Sequence, residues 1–329
     1  MTEPAASPDA LAALAVAALP RFGIAAASPV AVIHARENVI VRVDDPASPA
    51  PWVLRIHRPG YRDAAEIRSE LAWMRALADA GIATPPVRDG VDGDPVQEIE
   101  ARGIGRRCVD VLGWVPGRPL ADDDPDEAYH LLGRTSARIQ RHAAAWRRPA
   151  GFRRPRLDVD GLVGPRAVWG DYADLPGLDP AQRALMDRAA AVVRRRLAAF
   201  GEAPDRFGLT HGDLMPDNVL IEEGVPTVID FDDCGTGWYL YDLATLLAMR
   251  VADPDADRVR DAWLAGYRTV WPVPAEHAAE IDTLVMARML LGLGWMHTRR
   301  DTEMAQQLTG MAIAMSVIQA ERLLAREGA

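Results

Sequence analysis

The residues of this chain that are best suited to chemistry lie in one stretch, residues 211–233. Asp213 is followed by Asn218, and Asp230 comes after two short runs rich in Val and Ile that are separated by a turn at Gly224. Such runs predict a β-hairpin, with Asn218 and Asp230 side by side at its open end. Carboxylate and carboxamide oxygens are hard ligands that suit Mg²⁺, which keeps waters and completes its shell with phosphates. The stretch therefore predicts a magnesium site that acts on a phosphate-bearing substrate.

The order of these residues matches the requirements of phosphoryl transfer. That reaction needs a metal ion to neutralise charge, and a carboxylate that orients a hydroxyl and accepts its proton. The pattern His211-x-Asp213-x-x-x-x-Asn218, followed by Asp230-Phe231, matches the signature of a kinase catalytic loop. Either half of the pattern occurs by chance in an acidic protein, but both together, on a predicted hairpin behind a β-rich region, favour a kinase.

Three segments also carry a family resemblance. HGDLMPDNVL, VIDFDD and YDLATLL, which begin at residues 211, 228 and 241, resemble the aminoglycoside phosphotransferase, choline kinase and type II homoserine kinase family. The chain is also similar to bacterial stress-response Ser/Thr kinases, which share the protein-kinase-like fold. The resemblance covers roughly residues 28–300, and Gly212, which replaces the arginine of eukaryotic protein kinases, favours the small-molecule branch.

The resemblance implies roles for individual residues. Asp213 resembles the catalytic base, and Asn218 and Asp230 resemble the metal ligands. His211 resembles the histidine that supports the loop, and Asp242 resembles a scaffold aspartate of the helical lobe.

The elements that must position these residues follow from the sequence pattern. Val- and Ile-rich runs predict strands at 29–43, 52–57, 95–100 and 107–115, and apolar residues at helical spacing predict a helix at 63–80. The remaining apolar periodicity predicts helices at 8–19, 125–146, 179–200, 239–252, 257–271, 275–300 and 302–326, with the hairpin at 218–231 between them. We therefore expect an α+β, bilobal protein-kinase-like fold. Residues 1–114 would form a small antiparallel β-rich nucleotide-binding lobe with one αC-like helix, and residues 115–329 a larger helical lobe with the catalytic loop and the metal-binding hairpin.

The small lobe departs from the kinase pattern, because the chain contains no lysine. A kinase places a cation on its third strand to bind the ATP phosphates, and a helix glutamate holds that cation. Arg55 and Glu70 are the predicted pair, although both could instead be exposed charges. The loop that should cover the phosphates has no glycine, so side chains such as Asn38 and Arg36 would have to compensate; alternatively, Asn38 caps a turn.

The adenine is expected against the connection between the lobes. That connection runs from Val111 to Trp114 and includes Gly113. Backbone groups would make the contacts with the base.

The phosphate acceptor is the least defined part. Acidic and aromatic residues near the metal site could bind an amine or a quaternary ammonium group: Asp232, Trp238, Tyr239 and Trp295. Aromatic residues at helical spacing are more often core residues, and Arg299 and Arg300 could instead bind an acidic acceptor. Three hypotheses remain: a small-molecule kinase, a stress-response-type Ser/Thr protein kinase, and a non-catalytic nucleotide-binding protein. The short segment between Asp230 and Tyr241 favours a small acceptor.

Composition limits the setting and the partners. The chain has 329 residues and a net charge of −10, whereas a non-specific nucleic-acid binder is usually basic, so no nucleic-acid partner is expected. The first residues lack a basic start and no long uncharged apolar stretch occurs, so we expect a cytoplasmic location and no membrane partner. The expected ligands are ATP, Mg²⁺ and a small-molecule hydroxyl acceptor; the sequence leaves the oligomeric state open.

Overall fold

The structure is a computed structural model, which describes residues 7–35, 38–101, 104–120 and 126–328. Its contacts divide the chain into two compact units. The first unit comprises Met1–Arg118, Arg147–Arg153 and Leu220–Asp232, and the second comprises Pro119–Trp146, Arg154–Val219 and Asp233–Ala329.

Helices and strands are numbered separately along the chain. The helices are α1 (Pro8–Ala18), α2 (Ala64–Asp79), α3 (Asp126–Ala145), α4 (Val159–Leu162), α5 (Pro180–Phe200), α6 (Tyr241–Ala248), α7 (Ala256–Arg268), α8 (Ala275–Ala278), α9 (Ile281–Thr298) and α10 (Glu303–Glu327). The strands are β1 (Val30–Ala35), β2 (Val39–Val43), β3 (Trp52–Ile56), β4 (Val87–Arg88), β5 (Gln97–Ala101), β6 (Gly105–Gly113), β7 (Arg118–Pro119), β8 (Arg156–Leu157), β9 (Phe207–Thr210), β10 (Val219–Glu222), β11 (Val225–Val228) and β12 (Gly235–Trp238).

The first unit is built on one antiparallel sheet. Its strand order is β1-β2-β3-β6-β4, and β5 also pairs with β6. Apolar side chains of the sheet, such as Val41, Leu54 and Val111, form a core with Leu14 of α1 and with Phe22. The predicted α+β composition and the antiparallel small sheet are confirmed.

Helix α2 begins at a capping box, which explains why the helix starts where it does. The Asp63 carboxylate accepts hydrogen bonds from the backbone N–H groups of Ala65 and Glu66, and the Glu66 carboxylate accepts one from the Asp63 N–H. These bonds satisfy N–H groups that the first helical turn leaves without partners. The cap fixes the register of α2 and so places Glu70 on its buried face.

The predicted hairpin is present as β10 and β11, but it ends earlier than the sequence suggested. Strand β11 stops at Val228, and Asp230 has a left-handed backbone with φ of 62°, followed by a short 3₁₀ turn. The backbone N–H of Val228 donates to Ala83, and Phe231 meets Trp73 edge-to-face. These contacts group residues 220–232 with the first unit, whereas the sequence division placed the whole hairpin within 115–329.

The second unit is mainly helical. Helices α3 and α7 cross closely, because glycines stand where a side chain would overlap the opposite backbone: Gly133 faces the Trp263 carbonyl and Gly266 faces the His130 carbonyl. The predicted helix at 275–300 is in fact two, α8 and α9, with a break at Ala279 and Glu280. A small sheet with the order β8-β12-β9 was not predicted.

Helix α9 lies deep in the second unit. Almost every residue of its first two turns is buried, and its apolar side chains face all directions. A helix that is apolar on all sides is typically a core helix. Helices α5, α6 and α10 pack against it.

Helix α10 is the one helix of the described residues that is long and apolar enough to cross a membrane by length and composition. Only 28% of its most apolar window is buried, yet Gln319 donates to the Asp282 carbonyl of α9 and Arg196 of α5 pairs with Glu327. The helix is therefore docked within the second unit.

Candidate active site

The predicted catalytic loop connects β9 to β10 in the second unit, and Asp242 fixes its backbone. The buried Asp242 carboxylate accepts hydrogen bonds from the Gly212 N–H at 2.8 Å, from Thr210 Oγ1 at 2.8 Å and from Gln140 Nε2 at 2.9 Å. Ser136 Oγ donates to the same carboxylate at 3.0 Å. A buried carboxylate with several donors is a rigid anchor, and this is the geometry that the implied scaffold role requires.

Gly212 allows the loop to turn at this point. Its φ is 83°, and a side chain at this position would overlap the Asp233 carbonyl. Only glycine adopts such a backbone without strain. His211 is fully buried beside it, and its Nδ1 lies 3.3 Å from the Asp213 N–H, so the imidazole supports the loop from behind.

Asp213 and Asn218 are in direct contact. Asn218 Nδ2 donates to the Asp213 carbonyl at 2.8 Å and lies 3.4 Å from its Oδ2. The amide nitrogen of Asn218 makes both of these contacts, and its carboxamide oxygen takes part in neither. The donor chemistry of this pair fits a hard divalent cation.

Arg288 is a site residue that the sequence reasoning missed. It lies on α9, its Nη2 is 3.0 Å from Asp213 Oδ1, and its guanidinium stacks on the Trp169 ring at 4.2 Å from the centroid. It is the only charged residue between Asp282 and His297, which is the signal that could have revealed it. A lone cation in a buried helix needs a partner, and here the partner is the predicted base.

Burial and neighbouring charges together set the pKa of Asp213. Its buried surroundings raise its pKa, Arg288 lowers it, and the carboxylate of Asp233 raises it again. Burial also raises the pKa of Tyr241, and Arg288, Asp213 and Asp233 all influence that phenol. These four side chains therefore lie close enough to interact through charge.

The second predicted metal ligand, Asp230, belongs to the other compact unit. Asp230 belongs to the first unit and holds a strained left-handed backbone, whereas Asp213 and Asn218 belong to the second. Residues other than glycine adopt that conformation rarely, and such strain is concentrated at functional sites. The role of Asp230 as a metal ligand stays a prediction.

The predicted pair on the small sheet is present, and it is part of a larger buried cluster. Arg55 Nη1 lies 2.8 Å from Glu70 Oε1, while its Nε and Nη2 each lie 2.9 Å from the Asp110 carboxylate. His57 Nε2 approaches the same carboxylate at 2.5 Å. Arg55 is thus a buried cation held by two carboxylates, not an exposed strand residue. Its binding to nucleotide stays a prediction.

The other predicted nucleotide residues have partners within the first unit. Asn38 is buried, and its Oδ1 accepts a 3.3 Å hydrogen bond from the Arg58 N–H, a contact between residues 20 positions apart in the chain. The Gly113 N–H donates to the Pro86 carbonyl at 2.7 Å. Arg36 falls outside the described residues. Nucleotide binding by Asn38 and Gly113 remains a prediction.

The four predicted acceptor residues have different environments. Trp238 and Tyr239 are core residues: the Trp238 indole donates to the Gly201 carbonyl, and the Tyr239 hydroxyl lies 3.4 Å from the Pro204 carbonyl. Asp232 is buried in the first unit, where its carbonyl accepts a hydrogen bond from Arg62. Trp295 is partly exposed on α9, seven residues after Arg288, and is the one of the four that shares an element with the site around Asp213.

Comparisons with known proteins identify relatives of this chain. The model of the phosphotransferase enzyme family (APH) matches residues 30–277. A homoserine kinase from Polaromonas naphthalenivorans is 32% identical over 253 residues, which are 71% of this chain and 72% of that protein.

Solved structures show the same fold. A microcompartment-associated aminopropanol kinase is 32% identical, with a TM-score of 0.86 over 96% of this chain and 98% of the other. An amicoumacin kinase in complex with AMP-PNP and Ca²⁺ is 20% identical, with a TM-score of 0.75 over 95% of this chain and 94% of the other, and shows the fold alone.

These matches confirm three predictions: the family resemblance, the protein-kinase-like fold, and an enzyme that phosphorylates alcohol groups. At the level of chemistry the protein is a small-molecule phosphotransferase of the kinase type. With a family match over residues 30–277, this chain belongs to the APH phosphotransferase enzyme family.

Proposed function

We propose that this protein transfers the γ-phosphate of ATP to the hydroxyl of a small amine-bearing molecule, with Asp213 as the general base. The acceptor class would be an amino alcohol, an amino sugar or a hydroxy amino acid. The observation that supports this proposal best is the anchored loop, in which Asp242 and His211 fix the backbone that carries Asp213.

In the proposed reaction the acceptor oxygen forms a bond to the γ-phosphorus, and the bond from that phosphorus to the bridging oxygen of ADP breaks. The proton of the hydroxyl passes to Asp213, whose raised pKa suits an acceptor of protons better than that of an ordinary aspartate. Arg288 orients the carboxylate through its Oδ1.

We assign Asn218 and Asp230 as the ligands of Mg²⁺, and Arg55 with Glu70 as the cation pair on the phosphate side. Mg²⁺ would supply charge neutralisation at the phosphates. We also propose that the enzyme works in the cytoplasm, where ATP and small hydroxylated metabolites are present.

The test is ADP release with Mg²⁺ and ATP against hydroxylated amino acids, amino alcohols, aminoglycosides and a generic protein substrate. Asp213→Asn should lower kcat by about 10²- to 10⁴-fold and change nucleotide affinity little, because a general base acts in the transition state. Asp217→Asn is the matched control, since that exposed carboxylate lies on the same loop.

Two results would contradict the proposal. Phosphate incorporated only into protein would favour the stress-response-type protein kinase. Nucleotide binding without turnover, equal in wild type and Asp213→Asn, would favour a non-catalytic nucleotide-binding protein.

A further inference from the structure

One stripe of the buried helix α9 is only partly covered. Arg288, Gly292 and Trp295 are half-buried, whereas the five residues between them are buried. Positions four and seven residues apart lie on one face of a helix, so the three form a continuous strip about 10 Å long. The strip begins at Arg288, where it meets Asp213.

The middle of this strip is open. Apart from the two chain neighbours of Gly292 and the backbone of its own helix, no atom of the described residues lies within 4 Å of the place that a Cβ would take. Gly294, two residues later and on another face, lies so close to the Gly170 carbonyl that a side chain there would overlap it. Gly292 is therefore not required for close helix packing, and it leaves open space between the Arg288 guanidinium and the Trp295 indole.

The cation at the start of the strip has hydrogen-bonding capacity to spare. Nη2 of Arg288 bonds Asp213, but Nε and Nη1 form no hydrogen bond with any residue that the structure describes. The side chain is 16% exposed and its face is covered by Trp169. A mostly desolvated guanidinium with unused donors is stabilised by an anionic ligand, which accepts charge-assisted hydrogen bonds in its plane.

A second polar group in the same place also lacks a partner. The Tyr241 hydroxyl is buried and makes no hydrogen bond within the described part of the chain. Tyr241, Arg288, Asp213 and Asp233 interact through charge, as noted above. This part of the site therefore has one guanidinium that can bind an anionic group and two carboxylates that can bind a cationic group.

We infer that the acceptor is zwitterionic: it carries a carboxylate that Arg288 binds, beside an amine and the hydroxyl that is phosphorylated. Gly292 provides the space for the acceptor, and Trp295 closes the far end of the strip. This inference rests on the proposed function and narrows its acceptor class to hydroxy amino acids.

Two pairs of acceptors that differ only by a carboxylate test it: L-homoserine against 3-aminopropan-1-ol, and L-threonine against 1-aminopropan-2-ol. With ATP and Mg²⁺, the wild-type enzyme should show a kcat/KM at least about 10- to 100-fold higher for the carboxylate-bearing member of one pair, since that is the typical effect of a charge-assisted hydrogen bond. Arg288→Met should bring this ratio close to one, and Arg288→Lys should restore part of it. The ratio separates carboxylate binding from the effect of Arg288 on Asp213, which acts on both acceptors alike.

Gly292→Leu tests the location independently. It should raise KM for the preferred acceptor by about 10-fold or more, because it fills the strip. Gly310→Leu is the matched control, since Gly310 also lies in a helix with no described atom within 4 Å of its Cβ position, and it lies on α10.

The outcomes distinguish this inference from the proposed function. If the wild-type enzyme phosphorylates only acceptors without a carboxylate, or if Arg288→Met leaves the ratio unchanged, the carboxylate subsite is wrong and the kinase assignment stands. If neither these four acceptors nor the broader panel is phosphorylated, the proposed function itself fails.

Discussion

At the scale of single residues, the chain's use of arginine in place of lysine shapes the small sheet. Arg55 is nearly inaccessible, and its planar fork matches the Asp110 carboxylate while its remaining nitrogen reaches Glu70. A lysine has no such fork and could not bond Asp110 in the same bidentate way. Burial of two carboxylates is costly unless the cation between them is well placed.

This cluster predicts how stability depends on acid. Burial alone would raise the pKa of Asp110, but Arg55 and His57 lower it from 3.8 to about 2. The group therefore stabilises the fold above about pH 4, and this contribution, on the order of 2 kcal/mol, is lost as the pH falls from about 4 to 2. Asp110→Asn should have a lower free energy of unfolding at neutral pH than the wild type. Its free energy of unfolding should also fall less between pH 4 and 2.5 (a flatter acid limb), as measured by urea unfolding between pH 2.5 and 7. The exposed Asp217→Asn is the control, and an acid limb as steep in Asp110→Asn as in wild type would contradict the prediction.

The sequence could predict the Asp213–Asn218 and Arg55–Glu70 contacts, because a local motif or a strand-then-helix order fixes each. Arg288 could not be placed in the same way, because it lies 75 residues from Asp213 in the chain. Only the packing of α9 brings the two together.

At the scale of elements, the long helices followed directly from apolar spacing, while short and irregular elements did not. Strand β12 is Gly-Thr-Gly-Trp and β8 has two residues, so neither shows the alternation that indicates a strand. The break between α8 and α9 contains no glycine or proline, and the apolar spacing continues across it. Tertiary packing determines these short strands and the helix break, and a local sequence pattern cannot reveal tertiary packing.

The contact between α3 and α7 gives a prediction at this scale. Gly133→Ala should lower the free energy of unfolding by about 1–3 kcal/mol or more, because the new Cβ would meet the Trp263 carbonyl and force the helices apart. Gly310→Ala should instead raise stability by about 0.5–1 kcal/mol, since it adds a better helix former where there is room. Chemical unfolding of both variants provides the measurement, and equal effects would show that α3 and α7 do not need the close approach.

At the scale of the whole molecule, a net charge of −10 does not prevent the binding of an anionic nucleotide, since metal and arginine act locally. Nucleotide with metal would bind the folded protein and not the unfolded chain. It should therefore stabilise the protein by an amount that mass action sets.

Thermal unfolding measures this linkage. A non-hydrolysable ATP analogue with Mg²⁺, at about 100 times its Kd, should stabilise the wild-type protein by about 2.7 kcal/mol and raise Tm by several degrees. Removing Mg²⁺ with EDTA, or changing Asp230→Asn, should abolish most of the shift. A full shift in Asp230→Asn would show that Asp230 does not hold the metal.

The glycine at the second position of the catalytic loop also limits how this enzyme could change over time. Because Gly212 turns through a conformation that other residues avoid and presses against the Asp233 carbonyl, an arginine cannot enter there by one codon change without remodelling the loop. Regulation by a phosphorylated segment that binds such an arginine is therefore incompatible with this loop backbone.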